Sequence, residues 1–297
     1  MNLKQNLQKL SSYKNKNILV TGGAGFIGSN IVDMLYNLDA NVTVLDNLST
    51  GKLENLKNSK FKFIKGDISD FETCLESTKN IEFVFHLAAL VSVEESIIDP
   101  LKCNKINVTG TLNLLESSKI NGIKKFIFSS SAAVYGLSDN ILDEKSPCCP
   151  ISPYGLSKLI GEQYCKLFSK NFKTISLRYF NVFGERQDPN SAYAGVVSKF
   201  KKQIEENLPI TIFGDGNQTR DFVDVKLVAQ INLELALTDV NDESFNIATG
   251  KSISLLQLVA ILKKEFPNYK KEIQFKPARR SDIKFSYACI KKLNSIL

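Results

Sequence analysis

The chain has 297 residues, of which 43% are hydrophobic and 23% are charged. This balance excludes a wholly disordered chain, and the length allows one large domain or two unequal ones. The net charge of +7 suits anionic small ligands such as nucleotides, whereas the scattered lysines do not form the basic patch that nucleic acid requires.

Cysteine and histidine usage argues against a metal centre. The six cysteines show no C-x-x-C spacing, and with one histidine in the chain a zinc site of thiolates and imidazoles is not expected. The adjacent Cys148 and Cys149 are poorly placed to bridge each other. We therefore expect reduced, packed thiols in a cytoplasmic protein. The net charge of the chain has an alternative explanation, a composition that is simply rich in Lys, Asn and Ile.

Neither the N-terminal stretch nor the apolar runs indicate a membrane protein. MNLKQNLQKLSSYKNKN lacks the apolar core of a signal peptide. The longest apolar run, Ile81 to Val93, is interrupted by Glu82 and His86 and is too short to span a bilayer. We expect a soluble protein.

From residue 17 onward, apolar runs of strand length alternate with stretches of helical period. Asn17–Gly22 predicts a first strand, and apolar residues from Ile27 to Leu38 follow at helical spacing. NVTVLDN, FKFIKGD, EFVFHLAA, KKFIFSSS and TISLRYF predict five further strands. Helices fit Leu101–Lys119 and SPYGLSKLIGEQYCKLF. This order predicts an α/β fold with a doubly wound parallel sheet of the Rossmann type.

After about Asn181 the regular alternation ends. Turns such as Gly214-Asp215-Gly216 appear, and Ser254 followed by Gln257 predicts a capping box at the start of a helix. We therefore predict two domains, a Rossmann domain over 1–180 and a smaller mixed α/β substrate lobe over 181–297.

The stretch TGGAGFIG follows the first strand directly and opens a helix, which is the context of a dinucleotide-binding loop. Gly22 allows the tight turn, Gly25 allows a pyrophosphate to approach the backbone, and Gly28 allows the helix to pack closely on the sheet. The helix begins at Phe26 and Ile27, where unpaired N–H groups favour a diphosphate. The strand and helix argue against the alternative of a turn without a ligand.

Two carboxylates stand at neighbouring strand ends. Asp46 ends the second strand, where it would accept hydrogen bonds from the adenosine ribose and repel a 2′-phosphate. Asp67, at the end of the third strand, could meet the adenine. The sequence therefore favours NAD over NADP.

Tyr154-x-x-x-Lys158 puts a phenol and an ammonium on one helix face. A phenol with a pKa of about 10 is a poor base at neutral pH, and a neighbouring ammonium together with a nicotinamide charge would lower that pKa. Such spacing also arises by chance on solvated helices, but here it follows a dinucleotide loop and a serine cluster. That cluster, Ser129, Ser130 and Ser131, can supply a hydroxyl that bridges Tyr154 and a substrate oxygen, and of the three Ser129 is expected to be structural. His86, inside an apolar strand, is interpreted as a structural histidine.

These motifs resemble the extended short-chain dehydrogenase/reductase superfamily, specifically its nucleotide-sugar 4-epimerases and their UDP-N-acetylglucosamine 4-epimerase-like branch. The resemblance runs from about Asn17 to Tyr287 and rests on TGGAGFIGSN, LDNLSTG, GDISD, FHLAA, NVTGTLNLLE, SSSAAVYG, SPYGLSKLIGEQY, LRYFNVFG, FGDGNQTRDFVDV and RRSD. Dehydratases and decarboxylases of the family carry acids before VYG, where this chain has Ala132 and Ala133. What remains is oxidation at C4 followed by return of the hydride.

The resemblance implies that Tyr154 takes the C4 hydroxyl proton, Ser131 orients that hydroxyl and Lys158 holds the nicotinamide ribose. A 4-keto sugar would then rotate about its diphosphate, and NAD would stay bound between cycles. The implied cofactor residues are Gly22, Gly25, Phe26, Ile27, Gly28, Asp46, Asn47, Asp67, Ile68, Leu87, Ala88, Ala89, Asn107, Tyr154, Lys158 and Phe180. The implied substrate residues are Ser130, Ser131, Asn181, Gly195, Phe213, Arg220, Arg279 and Ser286.

Within the family, the residue four positions after the Asp of R-x-x-D tracks sugar size. Here it is Ser286, counted from Asp282, where a tyrosine would fill the space of an acetamido group. With ERQDPNSAYAGVVSKF, this favours UDP-GlcNAc and UDP-GalNAc over the alternatives, a UDP-glucuronate or UDP-glucose epimerase. The alternative is that Ser286 lies in an exposed strand and has no role in sugar specificity. The two long helices also resemble the family's dimer interface, which predicts a homodimer. The alternative function from another class is a non-catalytic protein that binds NAD or associates with RNA.

Overall fold

The structure is a computed structural model that describes residues 9–57, 60–189, 195–278 and 284–297. Its strands are β1 (Asn17–Thr21), β2 (Asn41–Asp46), β3 (Lys62–Lys65), β4 (Phe83–His86), β5 (Lys125–Ser131), β6 (Lys173–Tyr179), β7 (Asn181–Phe183), β8 (Ile210–Phe213), β9 (Thr219–Asp224), β10 (Glu243–Ile247), β11 (Ser252–Ser254) and β12 (Ile273–Lys276). Its helices are α1 (Phe26–Asn37), α2 (Phe71–Ser77), α3 (Val93–Ile98), α4 (Pro100–Cys103), α5 (Gly110–Ile120), α6 (Pro153–Phe168), α7 (Val196–Glu205), α8 (Val225–Ala236), α9 (Leu255–Glu265) and α10 (Lys291–Ile296).

Within these ranges, seven parallel strands form the central sheet in the order β10-β6-β5-β4-β1-β2-β3. Hydrophobic clusters cover both faces, which is why the strands carry nearly continuous apolar runs. The six strands predicted before Asn181 correspond to β1–β6. The predicted doubly wound α/β sheet is confirmed.

The predicted helices are also present. The second long helix is α6, and the first is α4 and α5 joined by a π-helical stretch, Asn104–Thr109. The predicted capping box is present at α9, where the Gln257 backbone N–H donates to the Ser254 hydroxyl and the Ser254 N–H donates to the Gln257 side chain. No helix in the described ranges is long and apolar enough to cross a bilayer.

The described chain after residue 180 contributes to several hydrophobic clusters, of which two show how it relates to the sheet. One set of elements, including α7, β8 and α9, encloses a separate cluster around Phe200 and Ile212. In contrast, α8 packs on α1, and β10 pairs with β6 as the edge strand of the central sheet. A single boundary at residue 180 therefore does not divide the two bodies in space, because the chain returns to complete the sheet.

The carboxyl ends of the parallel strands meet at one edge of the sheet. At this edge β1 leads into the glycine-rich loop, β2 ends at Asp46, and β5 ends at Ser131. In open α/β sheets the crevice outside these ends is where ligands bind. Residues far apart in the sequence are thereby brought to one site.

Candidate active site

The glycine-rich loop after β1 packs against the loop after β4. Gly22 has φ +67°, and a Cβ there would lie 2.7 Å from the backbone nitrogen of Ala88. A Cβ on Gly28 would collide with the Gly22 carbonyl. Side chains at these two positions would separate the start of α1 from the sheet, as the sequence predicts for Gly28.

The loop leaves the start of α1 open to an anion. Gly25 is the N-cap residue and supplies no side-chain hydrogen bond to the first turn. Phe26 and Ile27 then begin the helix, so their part of the backbone carries the positive end of the helix dipole. This cradle fits a diphosphate, and these residues could hold the pyrophosphate of a dinucleotide.

Asp46 lies beside this cradle and is 7% exposed. One carboxylate oxygen accepts a hydrogen bond of 2.9 Å from the Ala24 backbone N–H and the other accepts one of 2.8 Å from Leu48. Gly51 folds over the carboxylate closely enough that a Cβ would lie 2.9 Å from both oxygens. In the structure Asp46 therefore orders the glycine loop, and its contact with a ribose stays a prediction.

Asp67 is held by neighbouring polar groups. Asn47 donates to it at 2.9 Å and the Ser69 backbone N–H donates at 2.8 Å. Partial burial acts to raise the pKa of the Asp67 carboxyl, but these hydrogen bonds lower it below its ordinary value. The next residue, Ile68, is buried and its carbonyl accepts from Asn113.

Asn107 joins the loop after β4, which contains Leu87, Ala88 and Ala89, to helix α6. Its amide exchanges two hydrogen bonds with the Leu90 backbone, of 2.7 and 2.9 Å, and donates to the Ser157 hydroxyl at 3.0 Å. Asn107 lies in the π-helical stretch, a local distortion that is frequent at functional sites. Its role is to order the loop that borders the glycine cradle.

The predicted catalytic residues meet at the start of α6. The Ser131 hydroxyl lies close enough to the Tyr154 phenol to lower the pKa of that phenol, and the Tyr154 backbone N–H donates to the Ser96 hydroxyl. Lys158 is 4% exposed and donates to the Ser129 carbonyl at 2.7 Å. The Lys158 nitrogen lies 5.9 Å from the centre of the Tyr154 ring.

The described residues alone do not produce the lowered tyrosine pKa that the sequence predicts. Burial raises the pKa of the Tyr154 phenol above its ordinary value, and the nearby Ser131 hydroxyl offsets part of this rise. Burial lowers the pKa of Lys158 to about 8. The reason is geometric, since the ammonium points to the Ser129 carbonyl and both groups lie in a poorly hydrated site.

The residues predicted to bind the substrate lie in several places. Asn181 and Ser286 are together, with 3.4 Å between the Asn181 amide nitrogen and the Ser286 hydroxyl. Ser286 is 7% exposed, so the alternative of an exposed serine is wrong. The Phe213 carbonyl accepts from Gln218, and Arg220 donates to the carbonyl of its neighbour Thr219.

Three further predicted residues have these locations. Gly195 is the N-cap of α7, Phe180 is buried at the end of β6, and Arg279 lies outside the described residues. The structure does not bring Ser130 to the site with Ser131. Because side chains alternate along a strand, Ser130 faces the other way, where its hydroxyl donates to Glu162 at 2.5 Å. That position corrects the predicted substrate contact.

The sequence gives no signal for most of the residues that surround Ser130. Glu162 could have been noticed, because it lies four residues after Lys158 and eight after Tyr154 on one helix. Its partner Arg178 and the more distant Asn246 are brought in by other strands.

His86 is confirmed as a structural histidine. It is buried, with Nδ1 2.8 Å from the Thr21 hydroxyl and Nε2 2.9 Å from the Thr111 hydroxyl. Burial, assisted by the nearby Lys158 charge, lowers the pKa of His86 to about 3. The imidazole is therefore neutral at physiological pH and supports the end of β4.

This histidine predicts acid sensitivity. Below pH 6.5 the unfolded chain binds a proton at His86, whereas the folded chain does so only near pH 3. The contribution of His86 to the free energy of unfolding is therefore fully present above pH 6.5 and is lost as the pH falls below that value. We expect the free energy of unfolding to drop by about 2 kcal/mol between pH 7 and pH 5 from this group. Urea unfolding at both pH values measures the drop.

The matched control is His86→Asn, which removes the only histidine of the chain. Its free energy of unfolding should fall less between pH 7 and pH 5 than that of the wild type by the same amount. An equal fall in both proteins would contradict the assignment.

Comparisons with known proteins identify relatives of the whole chain. A sequence model of the NAD dependent epimerase/dehydratase family matches residues 18–248. A UDP-N-acetylglucosamine 4-epimerase from Methanobrevibacter ruminantium M1, in complex with UDP-N-acetylmuramic acid, is 44% identical with a TM-score of 0.91, over 95% of this chain and 92% of that one.

Two further relatives carry the name of another substrate. A UDP-glucose 4-epimerase from Thermotoga maritima, crystallised with UDP-glucose, is 43% identical with a TM-score of 0.89, over 94% of this chain and 91% of that one. A UDP-glucose 4-epimerase from Mycolicibacterium smegmatis is 38% identical over 250 residues, which are 81% of this chain and 79% of the relative. The similarity therefore extends over both bodies of the fold.

Proposed function

The chain belongs to the NAD dependent epimerase/dehydratase family, and we propose that it inverts C4 of UDP-sugars, with UDP-N-acetylglucosamine and UDP-N-acetylgalactosamine as the preferred pair. It is an NAD-dependent isomerase, a UDP-sugar 4-epimerase like its relatives. The observation that carries the reaction type is the meeting of Ser131, Tyr154 and Lys158 beside the glycine cradle.

The residues at the sheet edge fit the cofactor. The cradle of Gly22, Gly25 and Gly28 would hold the pyrophosphate, and Asp46 and Asp67 the adenosine. Held there, NAD would supply the hydride acceptor for C4 of the sugar and the donor for its return to the opposite face.

The protein supplies the proton chemistry. Tyr154 takes the proton of the C4 hydroxyl and gives it back, and Ser131, whose hydroxyl lies near the phenol, orients that C4 hydroxyl. Lys158 contributes a positive charge next to the phenol. Without the charge of a bound nicotinamide, burial still raises the pKa of the phenol. Ala132 and Ala133 follow Ser131 and carry no acid, so the chemistry stops at C4.

The preference for N-acetylated sugars rests on Ser286. Its short side chain lies against Asn181 in a buried position, where a tyrosine would occupy the space that an acetamido group needs. The Methanobrevibacter relative, named for UDP-N-acetylglucosamine, supports this preference. The second candidate is a UDP-glucose 4-epimerase, which the names of the two other relatives favour.

We also propose roles for groups around the diphosphate and uracil. Arg220 and Arg279 would bind the diphosphate, since a guanidinium matches phosphate oxygens well. The backbone at Phe213 would meet the uracil, and Gly195 would lie beside the sugar. We place the protein in the cytoplasm, where the six free cysteines would stay reduced.

A homodimer is the proposed assembly. Several large apolar side chains on α3, α4 and α6 are exposed, among them Ile98 at 83%, Leu101 at 82% and Leu156 at 49%. Leu156 also lines a cavity of about 420 Å³ between the segment that starts at Pro100 and the start of α6. Large apolar side chains exposed on neighbouring helices are expected to be covered by another protein surface, and a second copy of the chain would cover them symmetrically.

Replacing Tyr154 by phenylalanine tests the reaction type. We expect Tyr154→Phe to lower turnover of UDP-GlcNAc by about 10²-fold or more, because the proton acceptor is lost. NAD content of the purified protein should stay unchanged, since the glycine cradle is intact. The control is Tyr164→Phe on the same helix, which should keep full turnover. Normal turnover by Tyr154→Phe would exclude the mechanism.

Replacing Ser286 by tyrosine tests the sugar preference. We expect Ser286→Tyr to lower kcat/KM for UDP-GlcNAc by roughly 10- to 100-fold and to leave UDP-glucose turnover almost unchanged, because only the acetamido space is filled. Ser286→Ala is the control and should retain both activities. Chromatography of the products from each UDP-sugar measures this, and failure of the wild type to convert UDP-GlcNAc would refute the preference.

The proposed dimer is measured by light scattering after gel filtration. The wild type should have twice the 33.1 kDa mass of one chain. Leu101→Glu should shift it to a monomer, because a charge would then be buried in the contact. A glutamate at exposed Leu53, away from these helices, is the control. A wild-type monomer at micromolar concentration would contradict the proposal.

A further inference from the structure

A buried ion pair lies behind the catalytic residues. Arg178 on β6 contacts both oxygens of Glu162 on α6, with 2.9 Å from Nε to Oε1 and 2.7 Å from Nη2 to Oε2. The two side chains are 7% and 4% exposed. A two-pronged contact of this type fixes both the distance and the angle between the groups.

The same carboxylate belongs to a row of residues on α6 that meets the three serines of β5. Tyr154, Lys158 and Glu162 follow one another at intervals of four residues, which places them along one helix face. Tyr154 lies near the Ser131 hydroxyl, Lys158 donates to the Ser129 carbonyl, and Glu162 accepts from Ser130. Glu162 is therefore the third point at which the catalytic helix is attached to the strand that carries Ser131.

A second arm leads from Arg178 toward the sugar pocket. Nη1 of Arg178 donates to the Tyr135 hydroxyl at 2.9 Å, and that hydroxyl donates to Oδ1 of Asn246 at 2.6 Å. The order of donors is fixed, because a guanidinium can only donate and the hydroxyl must then pass its own proton on. The Asn246 amide nitrogen is thereby turned toward the carbonyls of Leu142 and Cys289, at 3.0 and 3.3 Å.

Cys289 belongs to the segment that carries Ser286, and Leu142 belongs to a second segment that pairs with it. The Leu142 backbone N–H donates to the Tyr287 carbonyl at 2.9 Å, and the Cys289 N–H donates back to Leu142 at 2.8 Å. Ser286 is the residue immediately before Tyr287. A continuous path of hydrogen bonds thus joins the catalytic helix to the wall of the sugar pocket.

Burying two charges is a costly way to stabilise a fold. An ion pair inside a protein often contributes no more than apolar residues of the same volume, whereas its directional contacts can select one arrangement. Here the arrangement selected is the position of α6 along β5. That position decides where the Tyr154 hydroxyl lies, and a displacement of about 1 Å can cost 10²-fold in rate.

We propose that Glu162 and Arg178 are positioning residues with two arms of hydrogen bonds. The Ser130–Glu162 arm holds the catalytic helix in register with β5, and the Tyr135–Asn246 arm holds the segment that carries Ser286. This proposal rests on the proposed epimerase function. The Ser130–Glu162 arm controls the rate of the reacting step, and the Tyr135–Asn246 arm controls sugar binding.

The two arms can be cut independently with mild substitutions. Ser130→Ala removes the hydroxyl on Glu162, and we expect kcat for UDP-GlcNAc to fall about fivefold with KM within about twofold. Tyr135→Phe removes the link to Asn246, and we expect KM to rise about fivefold with a smaller change in kcat. Arg178→Lys, which keeps the charge but loses the fork, should show both effects.

Tyr13→Phe is the matched control for lost stability. The Tyr13 hydroxyl is buried and donates one hydrogen bond of 2.7 Å to the Leu233 carbonyl, far from these residues. The Tyr13→Phe variant should lower the melting temperature as much as Tyr135→Phe does, and it should leave kcat and KM unchanged. If Ser130→Ala and Tyr135→Phe also leave both constants unchanged, the network is only structural and the proposal is wrong. If Ser130→Ala raises KM alone, Ser130 contacts the substrate and the helix arm is wrong.

A measurement without substrate separates this proposal from the proposed function. Ultraviolet titration of the NAD-loaded protein, taken as the difference between each variant and its Tyr154→Phe counterpart, follows the ionisation of Tyr154 alone. Ser130→Ala should move the midpoint, and Tyr13→Phe should not. An unmoved midpoint would overturn the positioning role even in an active enzyme. A wild type that turns over no UDP-sugar would count against the proposed function, and the titration would still decide the positioning role.

Discussion

The close packing of α6 on β5 is the contact on which the site depends. Two glycines of α6 make it possible, since a Cβ on Gly161 would collide with the Phe128 ring and one on Gly155 would lie 2.6 Å from the Ala133 carbonyl. With the helix this close, side chains of ordinary length reach the strand directly. The same polar row on a helix one side chain farther out would end in solvent and bind nothing.

Parallel strand order supplies the rest of the arrangement. Because β1, β4 and β5 are neighbours, the glycine cradle, the loop held by Asn107 and the serine cluster lie side by side at one edge of the sheet. Asn107 then connects two of these parts, as it contacts the Leu90 backbone and Ser157 of the catalytic helix. The cofactor site and the catalytic helix are therefore one mechanical unit, whose geometry follows from strand order.

Features that depend on local spacing could be predicted from the sequence. The glycine loop, six strands, the capping box at Ser254 and the structural role of His86 each follow from a few neighbouring residues and are confirmed. Features that depend on the return of the chain could not. The position of β10 beside β6 required knowing that the chain comes back after a long excursion, and the Glu162–Arg178 pair required knowing that β6 lies next to β5. Ser130 differs from the predicted substrate contact, because side chains alternate along β5 and its hydroxyl donates to Glu162.

Two of the buried cations near β5, Arg178 and Lys158, differ in what each can do with a proton. Burial acts to lower the pKa of Arg178, but the hydrogen bonds and charge of Glu162 outweigh it and raise the pKa, so this residue stays a permanent cation. Lys158 contacts a neutral carbonyl, and burial lowers its pKa to about 8. Its charge therefore responds to a change in nearby charge at physiological pH, as a group beside a reacting phenol must. An arginine suits the fixed half of the site and a lysine the reactive half, because only the ammonium can lose its proton.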